Sequence, residues 1–262
     1  MIVYLVLGLI QGVTEFLPVS SSGHLVLAER LFGLSSPGLI CEACLHLGTL
    51  AAVLVVFRAD LAELVRALTP RGNVDRRKEI GFLVVGTVPI VLVGLVLRGA
   101  ADAWFHSLWV IGIGWLATAA MLVAADRRAC RACSASPSAA GSLGIGIAQS
   151  VALVPGVSRS GFSIGAGILV GLRPERAARF SFLLSIPAVA GAAGLTLWDG
   201  LREPAAGNAD TLGILLGAVV AFLVGLVALR ALLKVVVRGR LWPFAAYCAA
   251  LAATALVLAA LS

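Results

Sequence analysis

The sequence predicts an all-α, polytopic membrane protein with six transmembrane helices plus two re-entrant helical hairpins in an inverted-topology repeat. Three observations predict it. Of the 262 residues, 60% are hydrophobic and 13% charged, where soluble chains carry about 25% charged residues; the mean hydropathy is +1.04. Apolar runs long enough to cross a ~30 Å hydrocarbon core recur along the chain. Finally, one stretch occurs twice: a shift of 138 residues lays Gly8–Leu34 on Gly146–Leu172 with 11 of 27 positions identical. The copies differ at Glu15, Ser21 and His24, which face Leu153, Arg159 and Phe162.

Residues 2–17 are apolar but short for a span, and Pro18 ends them. Residues 24–34 form a second short apolar segment, closed by Gly33. Two short segments with a polar joint read as a re-entrant hairpin, because irregular backbone at membrane depth must be buried in protein or face water. Spans are expected at about 40–57, 79–97 and 106–125, then a second hairpin at 141–172, then spans near 175–198, 211–235 and 241–261. Three crossings separate the hairpins, so the second enters from the opposite face, which makes the repeat inverted and places a site near the midplane. A weaker echo of Gly86–Val96 in Gly217–Val227 extends the duplication. The chain reads as one integral membrane domain, with a first repeat over about 1–125 and a second over about 141–262.

Lys and Arg set the orientation. The segments 58–78, 126–140, 173–179 and 234–240 hold fifteen of them, whereas 98–105 and 199–210 hold only Arg98 and Arg202. The basic loops are therefore cytoplasmic, and the first hairpin opens outward. Trp104, Trp109, Trp198 and Trp242 fall near span ends, as an aromatic belt does. Asp60, Glu63, Arg66 and 75–79 read as a solvated face, the cluster Arg173, Glu175, Arg176 and Arg179 as an anchor at headgroups, and Ser134–Ala140 as a flexible loop.

The net charge of +7 belongs to these loops, and nucleic-acid binding is not expected. With no charged leader and no Ala-x-Ala site, a removable signal peptide is not expected either. Cys41-x-x-Cys44 and Cys130-x-x-Cys133 have metal-site spacing, but the topology puts them on opposite sides, against a shared zinc site.

Ionisable groups inside apolar sequence mark a functional site. Gln11 and Glu15, four apart, share a helix face; the carboxylate could be a general base, or could hold a divalent cation with the Gln11 amide oxygen. Ser20, Ser21, Ser22, Gly23 and His24 supply hydroxyls, backbone donors and an imidazole. With the return helix starting near Ser22, its N-terminus is an anion site. The same logic holds at Gly156, Ser158, Arg159, Ser160 and Gly161, with an arginine suited to forked phosphate contacts, and Gln149 repeats Gln11. Serine capping is the plain alternative for each motif alone. Glu42 and His46 could line the same cavity. A midplane oxyanion site suits a lipid-tailed phosphate, and Glu15 with His24 suggests hydrolysis by an activated hydroxyl or water. A lipid-phosphate or anion transporter using the same site is the competing reading.

Gln11-Gly-Val-Thr-Glu-Phe-Leu-Pro-Val-Ser-Ser-Ser-Gly-His24 and Pro155-Gly-Val-Ser-Arg-Ser-Gly161 resemble the two signature motifs of the undecaprenyl-diphosphate phosphatase family, the bacitracin-resistance membrane enzymes. The resemblance covers nearly the whole chain. It implies a multi-pass enzyme of the bacterial inner membrane that removes the terminal phosphate of undecaprenyl diphosphate, leaving the carrier lipid for peptidoglycan and other envelope polymers. It also implies a divalent cation, magnesium or calcium, and essential roles for Glu15, Ser21, His24 and Arg159. The family accepts Glu or Gln at the position of Gln11, so the glutamine removes one carboxylate from any metal site. A polyprenyl diphosphate lipid and membrane lipids are the partners expected, and a homodimer is left open.

Overall fold

The computed structural model describes residues 1–32, 38–97, 104, 107–129, 134, 136–202 and 210–261. Gly33, Leu34, Arg98, Cys130 and Cys133, all named above, lie outside the described residues.

Two short helices open the chain, α1 (Ile2–Thr14) and α2 (Ser21–Phe32). The 13 residues of α1 span only about 20 Å at ~1.5 Å per residue, less than a hydrocarbon core. They are followed by α3 (Leu39–Val56), α4 (Arg58–Ala67), α5 (Val74–Leu97) and α6 (Leu108–Ala129). A second short pair, α7 (Ala139–Val151) and α8 (Arg159–Leu169), precedes α9 (Pro174–Gly200), α10 (Thr211–Val236) and α11 (Trp242–Leu261). Six helices, α3, α5, α6, α9, α10 and α11, are long and apolar enough to cross a membrane. The chain is a multi-pass membrane protein, and the six expected spans fall on these helices.

The two repeats exchange their short helices. Helix α1 packs on α10 and α7 packs on α5, so each copy lies against a span of the other half. The contacts are equivalent: a Cβ at Gly8 would strike the Gly217 carbonyl, and one at Gly146 would strike the Gly86 carbonyl. Gly8 corresponds to Gly146, and Gly86 to Gly217 through the echo. Lipid tails are as apolar as leucine, so small residues that let backbones approach drive this association. Gly12 continues the seam against Ala221, and Gly48 brings α3 onto α10 at Ala218.

Two expectations on the basic side need correction. The segment 58–78 was expected as a loop but carries α4, which Phe57 (φ −97°) sets off from α3. Asp60, Glu79 and Arg179 are not simply a solvated face and a headgroup anchor. Arg179 Nε lies 2.6 Å from Asp60 Oδ1, and the same guanidinium pairs with Glu79. Arg76 holds Glu79 at 2.8 Å and also pairs with Glu63. Burying carboxylates is costly unless they are paired, so the helix ends gather where the charges can neutralise one another. Arg179→Ala is expected to lower the melting temperature in detergent. Its cost of about 1–3 kcal/mol lies between exposed and fully buried pairs; an unchanged melting curve would show the network to be idle.

Asp126 caps α11, its Oδ1 accepting from the N–H groups of Leu241 and Trp242. Trp109, Trp198 and Trp242 are half exposed near helix ends, where interfacial rings are expected.

Candidate active site

Pro18 prevents α1 from continuing, and the chain turns through 15–20 before α2. Ser20 takes a left-handed φ of +68°, uncommon for a residue with a Cβ. The second joint turns at Gly156 (φ +88°) instead, where a Cβ would strike the Ile111 carbonyl. The two joints thus turn by different backbone routes.

Beyond the turns, the duplication is visible bond by bond. Ser20 Oγ accepts from the Gly23 N–H at 3.4 Å, and Ser158 Oγ from the Gly161 N–H at 3.1 Å. Ser20 and Ser22 lie 3.3 Å apart through their hydroxyls, and Ser158 and Ser160 lie 3.2 Å apart. Capping therefore accounts for Ser20 and Ser158, the plain alternative for each motif. Ser160 ties the joints together by donating to the Leu17 carbonyl at 3.1 Å. Thr118 on α6 holds the second joint, accepting from the Ser158 N–H at 2.9 Å.

The first residues of the two return helices are Ser21 and Arg159, which occupy the same place in the repeat. Both reach one carboxylate. Ser21 Oγ donates to Glu15 Oε2 at 2.8 Å, and Arg159 Nη2 pairs with Glu15 Oε1. Gln11 Nε2 also donates to Glu15 Oε2, at 3.0 Å. Glu15 is 8% exposed, a burial a carboxylate tolerates only with such partners. His46 joins from α3, with Nδ1 3.0 Å from Gln11 Nε2 and 3.7 Å from Glu15 Oε2. Glu42 lies one turn before it on α3.

Other expected groups sit elsewhere. His24 meets neither Glu15 nor Ser21. Its Nδ1 lies 2.7 Å from the Ser20 carbonyl oxygen, and its Nε2 lies 2.8 Å from the Tyr247 hydroxyl. Gly23 serves packing, since a Cβ there would be 2.7 Å from the Trp115 ring. Gly161 likewise lets the joints close on each other beside Pro18. Gln149 is fully buried, and among the described residues its amide finds no partner; it does not join the cluster. Cys41 and Cys44 are free thiols on α3.

A buried acid with a half-buried hydroxyl and guanidinium, supplied by two halves of one duplication, can serve group transfer at an oxyanion. The family model described as "Bacitracin resistance protein BacA" matches residues 4–254. The chain belongs to this family. An undecaprenyl-diphosphatase of Desulforapulum autotrophicum is 40% identical over 93% of this chain and 92% of its own length. One from Desulfosudis oleivorans is 42% identical, covering 93% of each chain. One from a Nocardioides species is 42% identical over 98% of this chain and 95% of its own.

In this member of the BacA family, motif reading missed Tyr247, Trp115 and Thr118. Each is a single polar or aromatic side chain within an apolar span, with no neighbour at a telling spacing. A buried hydroxyl such as Thr118 declares itself only when its partner, 40 residues away in sequence, is seen.

Proposed function

We propose that the chain is an undecaprenyl-diphosphate phosphatase, a phosphoric anhydride hydrolase that releases the terminal phosphate to leave undecaprenyl phosphate for envelope polymers, and so confers bacitracin resistance. The observation that carries the reading is the convergence of Ser21 and Arg159 on Glu15. A nucleophile hydrogen-bonded to its base, with a cation alongside, is the expected arrangement for an activated hydroxyl.

Ser21 Oγ attacks the terminal phosphorus while Glu15 Oε2 takes its proton. The bond from phosphorus to the bridging oxygen breaks, and the lipid monophosphate leaves. Once Glu15 has passed that proton to the departing phosphate, it takes the proton of a water molecule whose oxygen attacks the phosphoserine; the bond from phosphorus to Ser21 Oγ breaks, inorganic phosphate leaves, and the proton returns to Ser21 Oγ. Arg159 spends one donor on Glu15 and has further guanidinium N–H groups for the phosphate oxygens, where most of the catalytic stabilisation of phosphoryl transfer is needed. The first-turn N–H groups of α2 and α8 add to this anion site.

The residues also fit a divalent cation. Among the described residues Gln11 Oε1 is buried with no partner, while Nε2 of the same amide donates to Glu15. Among the described residues no three His, Cys, Asp or Glu side chains gather as a metal cage, so an ion here would need oxygens from the substrate and water to complete its shell. Glu15 and Gln11 would hold the ion, which supplies charge neutralisation on the diphosphate. Chelated protein is expected to lose turnover and regain it with magnesium or calcium; unchanged turnover in chelator would remove the ion from the reaction.

The short helix pairs are re-entrant in this reading, the protein lies in the bacterial inner membrane, and the site opens to the outer face. The asymmetry of Lys and Arg between the loops supports that orientation. Purified protein in detergent is expected to release phosphate from undecaprenyl diphosphate. Binding without release would favour a transporter and defeat the hydrolase.

A further inference from the structure

His24 has no bond to the acid or the nucleophile, so its surroundings define its use. The Ser20 carbonyl, turned by the left-handed backbone at φ +68°, faces His24 Nδ1 at 2.7 Å. A carbonyl can only accept, so in the neutral ring Nδ1 carries the proton and Nε2 keeps its lone pair. The Tyr247 hydroxyl, 2.8 Å from Nε2, donates into that lone pair.

The ring is also held in place. Tyr247 stacks on it with centroids 5.7 Å apart and planes 12° from parallel. Trp115 stands edge-on at 5.6 Å and 85°, favourable geometry for aromatic pairs. Trp115 is itself fixed by its Nε1–H to the Val19 carbonyl at 2.8 Å, and Gly23 leaves it room. Tyr247 is itself 46% exposed. Three elements, α2, α6 and α11, thus converge on one imidazole, more than a surface histidine needs.

We propose that Tyr247 is a positioning residue for His24: the Ser20 carbonyl sets the Nδ1–H tautomer, and the Tyr247 hydroxyl and ring hold the imidazole with Nε2 as the one nitrogen that exchanges a proton during turnover. The phenol suits both states of the ring. It donates to neutral Nε2; when Nε2 takes up a proton released at the diphosphate, the phenol oxygen accepts from the new N–H and its own O–H rotates away. The N–H bond formed on Nε2 replaces the O–H bond of the phosphate or water that gave the proton, and it breaks when the proton passes back to a phosphate or water oxygen. Partners behind an acid–base histidine set its tautomer and orientation in this way. The inference rests on the phosphatase reading above, with His24 as the essential residue that the family resemblance implies.

The test uses the full-length protein with ¹⁵N-labelled histidine, at a pH where the ring is neutral, with His24→Ala assigning one of the three histidines. Wild-type His24 is expected as the Nδ1–H tautomer with a hydrogen-bonded Nε2. In Tyr247→Phe, which keeps the stacking, the Nε2 signal is expected to move to that of a lone pair without a donor. In the same variant kcat falls roughly 10- to 100-fold, part of the ~10²–10⁴ that positioned acid–base groups contribute, while KM stays within about twofold. A role limited to packing would move neither. An Nε2–H tautomer in the wild type, an unmoved Nε2 signal in Tyr247→Phe, or a moved signal with full turnover would each overturn the proposal. Full turnover in His24→Ala would instead remove His24 from the reaction, and with it the essential role that the resemblance implies.

Discussion

Arg159→Ala is expected to lower turnover on undecaprenyl diphosphate by about 10³-fold or more, the scale on which an arginine stabilises transferring phosphoryl groups. Two losses combine. The diphosphate loses its forked cation, and Glu15, 8% exposed, loses the charge that faces its Oε1. Truncating one member of a buried pair costs several kcal/mol chiefly by stranding the other. Arg159→Lys tests geometry apart from charge. A lysine is a point charge without the fork, so it is expected to recover only a small part of the lost activity. Steady-state phosphate release checks both variants, and a mild effect of Arg159→Ala would undo the clamp.

Glu15→Gln is expected to cost roughly 10²–10⁴-fold in kcat, the contribution of a positioned base. The substitution keeps size and shape, but the amide cannot take the Ser21 proton. The amide can also present only one oxygen, where the carboxylate now serves Arg159 at Oε1 and Ser21 and Gln11 at Oε2. Ser21→Ala is the companion variant, and near-normal kcat there would leave water as the attacking group.

The spans were legible because a crossing demands about twenty apolar residues, and little else satisfies that demand. The meeting of the two polar joints was legible too, because the duplication places Arg159 opposite Ser21, and the structure brings both to Glu15. Four features were not legible, for physical reasons. His24 was grouped with Glu15 by proximity in sequence, but the left-handed turn at Ser20 sends its ring toward α11. Tyr247 lies 223 residues from His24, beyond the reach of any spacing rule. The tie between Asp60 on α4 and Arg179 on α9 spans 119 residues and shows only in the folded chain. Gly23, grouped with phosphate-binding residues, answers to the bulk of Trp115.

The central claim is that neither hairpin works without the other, because one carboxylate serves both. A double-mutant cycle on Glu15→Gln and Arg159→Ala, read as phosphate released from undecaprenyl diphosphate by purified protein, tests it most directly. Residues that act as a unit are grossly non-additive, so the double variant is expected to be within about tenfold of the worse single variant. Losses that multiply in full would mean that the carboxylate and the guanidinium act independently, and would contradict the shared site.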